Sequence, residues 1–124
     1  MDLDRFADLV AEALDSLPEE FLDRLENVQV DILEWPTPED LEAAGLSRRD
    51  KYALLGLYHG VPVTHRGAHY VALPDHISIF KGPIEAAVGP DEAAIREQVR
   101  RTVIHEIAHY YGIDDERLRE LGWG

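Results

Sequence analysis

Apolar residues recur at every third or fourth position near the start of the chain, with acidic side chains between them. This spacing puts them on one face of a helix, so residues 3–17 are predicted to form an amphipathic helix. Pro18 ends that helix and suits the first position of a short second helix that reaches Leu25. The apolar positions of the first helix are Leu3, Phe6, Leu9, Val10, Ala13, Leu14 and Leu17.

The apolar period then changes to two. Over residues 27–34, β-branched residues alternate with polar ones, which predicts a β-strand. Thr37 and Pro38 follow, with acidic residues directly after them. A capping residue, a proline and first-turn acids are typical of a helix start, so a short helix is predicted to about Ala44, ended by Gly45.

The middle of the chain has a weaker pattern. Glycines and prolines interrupt the apolar residues of 45–69, which predicts turns and one short strand. Two short apolar runs, Tyr70–Leu73 and His76–Phe80, are strand candidates separated by a Pro-Asp pair. The Lys-Gly-Pro sequence at 81–83 is predicted to end the second strand.

The longest helix is predicted over residues 91–111. A Gly-Pro-Asp-Glu sequence marks its start, and Gly112 is a typical residue just beyond a helix end. A last short helix is predicted over 114–121. The predicted buried stripe of the long helix consists of Ile95, Val99, Thr102, Val103, Ile107 and Tyr110.

Charged pairs support the long helix, because Glu92 precedes Arg96, and Glu97 precedes Arg101, by the four residues that favour helical ion pairs. Along the chain, helices are followed by a strand, turns, further strands and helices again. This order predicts the α+β fold class. A length of 124 residues suits one domain, 1–124.

Composition excludes several function classes. The chain has 12 Lys and Arg against 25 Asp and Glu, a net charge of −13, which argues against nucleic acid and anionic membranes as partners. With no cysteine, disulfides, thiolate metal sites and cysteine nucleophiles are excluded. The first residues lack the features of a signal peptide, and no apolar run is long enough to span a membrane. We therefore expect a cytoplasmic protein, by default a monomer.

The long helix carries the motif His-Glu-x-x-His, formed by His105, Glu106 and His109. Four residues advance a helix by about 400°, so both imidazoles face the same side and can share one Zn²⁺. Glu106 is then placed to take a proton from a zinc-bound water whose pKa is lowered toward about 7. Chance predicts on the order of 0.03 such motifs in a chain of this composition, so the motif favours a zinc hydrolase over a solvated helix face.

A catalytic zinc usually has a third protein ligand. Gly112 follows His109 by three residues and can turn the chain back, and Asp115 follows Gly112 by three. Asp115 is therefore the predicted third ligand. The alternatives are that Asp114 is the ligand, or that one of the two aspartates merely caps the last helix. Glu116 and Glu120 are further carboxylates nearby.

The string from His105 to Asp115 resembles the extended motif of the zincin metallopeptidases. Because the only methionine is Met1, the chain cannot form the methionine turn of metzincins. It is more similar to the small bacterial mini-zincin family of predicted metallopeptidases, also through Leu57–Pro62 and Ile77–Phe80. The resemblance implies a minimal zincin fold with a small twisted sheet packed on the active-site helix. It also implies peptide-bond hydrolysis with His105, His109 and Asp115 as zinc ligands and Glu106 as base.

Two parts of the predicted site stay open. The group that polarises the carbonyl is either a histidine of the stretch His65–His69 or one of Tyr110 and Tyr111. The remaining histidines, His59 and His76, are interpreted as structural in the sense of surface or core residues and not as functional groups. Ile77–Phe80 is either an edge strand that pairs with an extended peptide, as zincins generally do, or an interior strand of the core.

The predicted function is that of a zinc-dependent peptidase that hydrolyses peptide bonds of a peptide or protein substrate. A metal-bound water, activated by Glu106, attacks the carbonyl. One alternative is a metal-binding regulatory or interaction module with little or no hydrolytic activity. Another is an interaction protein that binds no metal and acts through its acidic surface.

Overall fold

The computed structural model describes residues 1–60 and 75–122. Within them the chain forms six helices and three strands, which confirms the α+β class. No helix in these ranges is long and apolar enough to cross a membrane. The elements are α1 (Leu3–Asp15), α2 (Glu19–Leu25), β1 (Val28–Leu33), α3 (Pro38–Ala43), β2 (Gly56–His59), β3 (Asp75–Phe80), α4 (Lys81–Val88), α5 (Glu92–Tyr110) and α6 (Asp115–Glu120).

The sheet has the order β1-β3-β2. β1 runs parallel to β3, with Val28 opposite Asp75, and β2 runs antiparallel to β3, with Tyr58 opposite Ile77. β3 is therefore the central strand, and residues 77–80 are all buried. The edge-strand interpretation of Ile77–Phe80 is wrong and the interior one is right, because neighbouring strands cover both of its edges. The candidate strand Tyr70–Leu73 lies outside the described residues.

The core lies between α5, α1 and the sheet. α1 and α5 bury their predicted apolar faces against each other and against Ile77 and Ile79. Ile95, Val99, Thr102, Val103 and Ile107 of the predicted stripe are buried. Tyr110 is the exception, with 41% of its surface exposed. Its ring stacks on Tyr58 at the surface of the molecule instead of entering the core.

Tertiary contacts replace one of the two predicted ion pairs of α5. Arg5 of α1 donates two hydrogen bonds to Glu92, at 2.7 and 2.8 Å. Arg96 lies 3.5 Å from Glu12, also on α1. Because these partners come from a neighbouring helix, spacing along α5 could not reveal them. The predicted pair of Glu97 and Arg101 is present, with 3.9 Å between Oε1 and Nε.

α4 was not predicted from the apolar pattern. The Lys-Gly-Pro sequence does end β3, but a helix begins at the same point. Lys81 places its amine 2.9 Å from Glu85 within the helix and 3.4 Å from Glu34 after β1. Gly82 lets Trp35 pack directly against the helix, since an added Cβ would lie 2.5 Å from the indole ring. Contacts with the segment after β1 therefore support this helix.

Candidate functional site

The part of α5 that carries the His-Glu-x-x-His motif faces a cavity of about 410 Å³, which lies between this helix and the segment that leads into β2. The helix side of this cavity is polar, and the opposite side is mainly apolar. The motif residues His105, Glu106 and His109 all contribute to the same cavity, as their spacing predicts. The described residues that line it are Ala53, Leu54, Leu55, Gly56, Gln98, Arg101, Thr102, His105, Glu106 and His109.

Close packing at Gly56 sets the width of this cavity. A Cβ at Gly56 would lie 2.7 Å from the Thr102 methyl carbon and 3.1 Å from the backbone oxygen of Ser78. Glycine therefore lets the start of β2 approach α5 more closely than any other residue would. The strand thereby comes within hydrogen-bonding distance of the helix one turn further along.

The two imidazoles of the motif lie one helical turn apart. The ring centroids of His105 and His109 are 6.0 Å apart, and their planes differ by 32°. His105 is half-buried, whereas half of the His109 side chain is exposed. Both rings are therefore accessible from the cavity.

The structure gives the two candidate aspartates different roles. Gly112 has a φ of 80°, a left-handed conformation that ends α5 and reverses the chain. Asp114 caps α6, because its side chain accepts a hydrogen bond from the backbone N–H of Arg117 at 2.9 Å. Asp115 instead places Oδ1 3.1 Å from Nε2 of His109. This hydrogen bond lowers the pKa of Asp115.

The His109–Asp115 pair fits a zinc site. Two ligands of a tetrahedral zinc, each about 2.0–2.2 Å from the ion, lie roughly 3.4 Å apart. The observed 3.1 Å between Nε2 and Oδ1 is close to that separation. Two imidazoles and one carboxylate are also a donor set that zinc accepts. Over residues 1–60 and 75–122, however, no three His, Asp or Glu side chains already converge as a metal-binding group.

Glu106 is held by the backbone of β2. Its Oε2 accepts a hydrogen bond from the N–H of Tyr58 at 3.1 Å. Partial burial raises the pKa of Glu106, and this hydrogen bond and the nearby His109 oppose that rise. In the antiparallel pairing with β3, the N–H of Tyr58 points away from the sheet, which leaves it available for a side chain of α5.

Two side-chain contacts fix the position of Tyr58. Its ring stacks on Tyr110, with centroids 4.2 Å apart, and its hydroxyl donates to Asp75 at 2.9 Å. A Cβ on Gly60 would overlap the Tyr110 ring, so glycine makes room for the stack. Burial, together with the bond to Asp75, raises the pKa of Tyr58, which keeps its hydroxyl protonated. Tyr58 therefore forms a rigid support behind Glu106.

The candidates for a polarising group are only partly located. Tyr110 stacks on Tyr58, and Tyr111 lies under the guanidinium of Arg24. Neither tyrosine is among the described residues that line the cavity. The stretch His65–His69 lies outside the described residues. The carbonyl-polarising group thus stays a prediction.

The two histidines interpreted as structural pair with residues on or near the sheet. His76 lies 3.0 Å from Asp31 on the neighbouring strand. His59 lies 3.4 Å from the Ser78 hydroxyl and 3.9 Å from Asp40. These partners agree with the structural interpretation.

Sequence patterns missed Tyr58 and Arg101 as parts of the site. Tyr58 contributes its backbone N–H to the site. Whether that N–H is available depends on the pairing of β2 with β3, which the identity of the residue does not reveal. Arg101 appeared only as half of an ion pair. Its position four residues before His105 was the available signal, because this spacing places both side chains on one helix face.

Comparison with known proteins agrees with this geometry. The family model described as zincin-like metallopeptidase matches residues 25–123. The chain belongs to the zincin-like metallopeptidase family. This confirms the resemblance to mini-zincins and favours peptidase activity. No curated protein matches the chain.

A solved structure supports the same fold. It is that of a conserved hypothetical protein from T. thermophilus, which is 27% identical to this chain. The match covers 90% of this chain and 94% of that one, with a TM-score of 0.54. The zincin-like family member described here thus shares its fold, over most of its length, with the protein from T. thermophilus.

Proposed function

We propose that this member of the family is a zinc-dependent peptidase. His105, His109 and Asp115 hold the metal, and Glu106 is the general base. The placement of Glu106 carries the proposal. Its carboxylate lies in the same cavity as both imidazoles and is fixed by the N–H of Tyr58. The substrate is a peptide or protein.

Zinc, when bound, supplies a Lewis acid that makes a water molecule more acidic and polarises a carbonyl group. Glu106 accepts the proton of the attacking water while the water oxygen bonds to the carbonyl carbon. Because Oε2 is tied to Tyr58, Oε1 is the oxygen that holds this proton. Glu106 then donates the proton to the amine nitrogen as the C–N bond breaks, so it returns to the carboxylate form in which it started.

A regulatory metal-binding module without hydrolysis is the second candidate. Metal binding alone needs two imidazoles and a carboxylate, but it does not need a half-buried glutamate held between the helix and a strand. The contact between Glu106 and Tyr58 therefore favours hydrolysis. Both candidates predict zinc binding, and only the first predicts peptide cleavage.

Replacing the base tests the mechanism. Glu106→Gln should lower the turnover of a peptide library by about 10²–10⁴-fold, the usual contribution of a general base, and leave zinc affinity unchanged. Cleavage is measured by mass spectrometry and zinc binding by titration. Glu97→Gln is the matched control, because Glu97 lies on the same helix outside this cavity. Equal cleavage by wild type and Glu106→Gln would contradict the mechanism.

The third ligand is tested with two isosteric substitutions. Asp115→Asn should weaken zinc binding by at least about 10-fold, the lower end of what loss of an outer-shell partner costs. Asp114→Asn should leave the affinity unchanged, because Asn is as good a helix cap as Asp. Zinc titration of both variants decides between them. A larger loss for Asp114→Asn would assign the third ligand to Asp114 instead.

A further inference from the structure

The cavity extends well beyond the proposed metal ligands. Its helix side runs from Gln98 to His109, and eleven residues of helix rise by about 16 Å. The proposed chemistry uses only the last turn and a half of this length. The remaining part offers space for the substrate next to the bond that is cut.

Among the described residues, Arg101 is the basic side chain that lines this second part of the cavity. It lies four residues before His105, one turn away on the same face and about 6 Å along the helix axis. Its side chain is 59% exposed. The chain as a whole carries a charge of −13, so a guanidinium beside the motif sets a local charge opposite to that of the whole protein.

The internal contacts of Arg101 are weak. Its partner in the described part of the chain is Glu97, at 3.9 Å between Nε and Oε1, which is longer than a hydrogen bond. Glu97 lines a different cavity, together with Arg96 and Arg100. By contrast, Arg5 is bound in a bidentate pair to Glu92. The guanidinium of Arg101 can therefore turn to a ligand at little cost.

Gln98 supports the same wall of the cavity. Its Nε2 donates to the Thr102 hydroxyl at 3.2 Å, which holds the amide against the helix. The amide nitrogen has a second N–H, so Gln98 can add a donor beside the guanidinium. Because Gln98 and Arg101 lie three residues apart on one helix and both line this cavity, their N–H groups can donate to the same carboxylate.

We propose that Arg101, assisted by Gln98, binds a carboxylate of the substrate within about two residues of the bond that is cut. The distance follows from the 6 Å offset, because an extended peptide advances about 3.3–3.6 Å per residue. The carboxylate is either the free C-terminus of a peptide or an acidic side chain. This inference rests on the proposed function, since it places the substrate relative to His105.

The test measures peptide binding, so that it does not depend on turnover. The probe is an N-terminally labelled tetra-alanine peptide with a free carboxylate, compared with its C-terminal amide and with an amide that carries Glu in the last position. Fluorescence anisotropy is recorded with the Glu106→Gln protein, with zinc and again with EDTA. The free acid or the Glu peptide should bind about 10-fold more tightly than the plain amide, and which of them does so identifies the carboxylate.

Variants then assign the effect to Arg101. Arg101→Gln should abolish the preference for the carboxylate both with zinc and with EDTA, and Arg101→Lys should restore part of it, because charge returns without the planar fork. Arg100→Gln is the matched control, since the neighbouring Arg100 lines the other cavity. Equal binding of all three peptides, the free acid, the plain amide and the Glu amide, by the Arg101-containing protein would overturn the inference, as would an equal loss in Arg100→Gln.

The outcomes separate this inference from the proposed function. A carboxylate preference that depends on Arg101, together with no peptide cleavage by the zinc-loaded wild type, would support the binding site and contradict the peptidase. Cleavage of the free acid, the plain amide and the Glu amide at equal rates, with equal binding of all three, would support the peptidase and contradict the binding site. Thermal melting of each variant verifies that it is folded.

Discussion

The two faces of α5 differ sharply. On one face, Ile95, Val99 and Ile107 are buried along the length of the helix, and near its start Arg5 and Glu12 of α1 pair with charged residues of α5. On the face that lines the cavity, His109 is exposed and Glu106 is bound to a backbone N–H of β2. One helix therefore carries both the core and the candidate site, on different faces.

This division shows how a small domain holds a site rigidly. A helix is stiff, so packing of its buried face against α1 and the sheet also fixes the direction of the side chains on its other face. The site residues can then be polar and accessible without having to stabilise the fold themselves. Changes on one face are expected to have little effect on the property that the other face provides.

The sharpest test of this division pairs one substitution from each face of α5. Ile95→Ala should lower the free energy of unfolding by about 2–5 kcal/mol, because it leaves a cavity at a fully buried position. Zinc affinity of the folded protein should not change. His109→Ala should do the reverse, since half of its side chain is exposed. Denaturant unfolding and zinc titration measure the two effects.

Ile95→Val is the control for the core position and should lower the free energy of unfolding by only about 0.5–1.5 kcal/mol. A strong loss of zinc affinity in Ile95→Ala would show instead that the two faces of α5 are coupled.

A substitution at the contact between β2 and α5 should affect both the stability of the fold and the position of Glu106. Gly56→Ala places a methyl group 2.7 Å from that of Thr102, which should cost about 1–3 kcal/mol of stability and push β2 away from Glu106. Thr102→Ser removes the opposing methyl and should restore most of the loss in the double variant. Unfolding measurements on both single variants and the double variant give the interaction energy. Additive losses would mean that the two groups do not compete for space.

The smallest expected effect concerns the contact between α1 and α5. The hydrogen bonds from Arg5 lower the pKa of Glu92. A carboxylate with a lowered pKa in the folded state adds stability above its ordinary pKa of about 4.3, and this stability is lost as the pH falls through the folded-state value. The melting-temperature difference between wild type and Glu92→Gln should therefore shrink below about pH 4.

Glu97→Gln is the comparison for this measurement, because its ion pairs on α5 are longer, at 3.9 Å. A difference for Glu92→Gln that stays constant down to pH 3 would show that the pair contributes no charge-dependent stability.

Elements with a local signal were predictable from the sequence. Capping residues and apolar spacing predicted α1, α3, α5 and α6 close to their observed ends, and alternation predicted β1. Thr37 and Asp40 indeed form a reciprocal cap at the start of α3. The motif on α5 identified the candidate site because helical spacing alone puts His105 and His109 on one face.

Features that depend on distant partners were not predictable. The support of Glu106 by Tyr58 joins residues 48 positions apart, and it depends on which N–H groups the pairing of β2 with β3 leaves unused. The exposure of Tyr110 depends on its stack with Tyr58, and α4 depends on contacts with Glu34 and Trp35. Spacing after Gly112 favoured Asp115 over Asp114 as the third ligand, but the hydrogen bond of Asp114 to Arg117 and the approach of Asp115 to His109 depend on the direction of α6, which spacing does not provide.

The position of Asp115 at the first turn of α6 has a thermodynamic consequence. α6 has six residues and is anchored in the core by one buried side chain, Leu118. If Asp115 holds zinc as proposed, the binding energy gained through this carboxylate also stabilises the docking of α6. Metal occupancy and order at the end of the chain are then linked, so that removal of the ion loosens this helix before it affects the core.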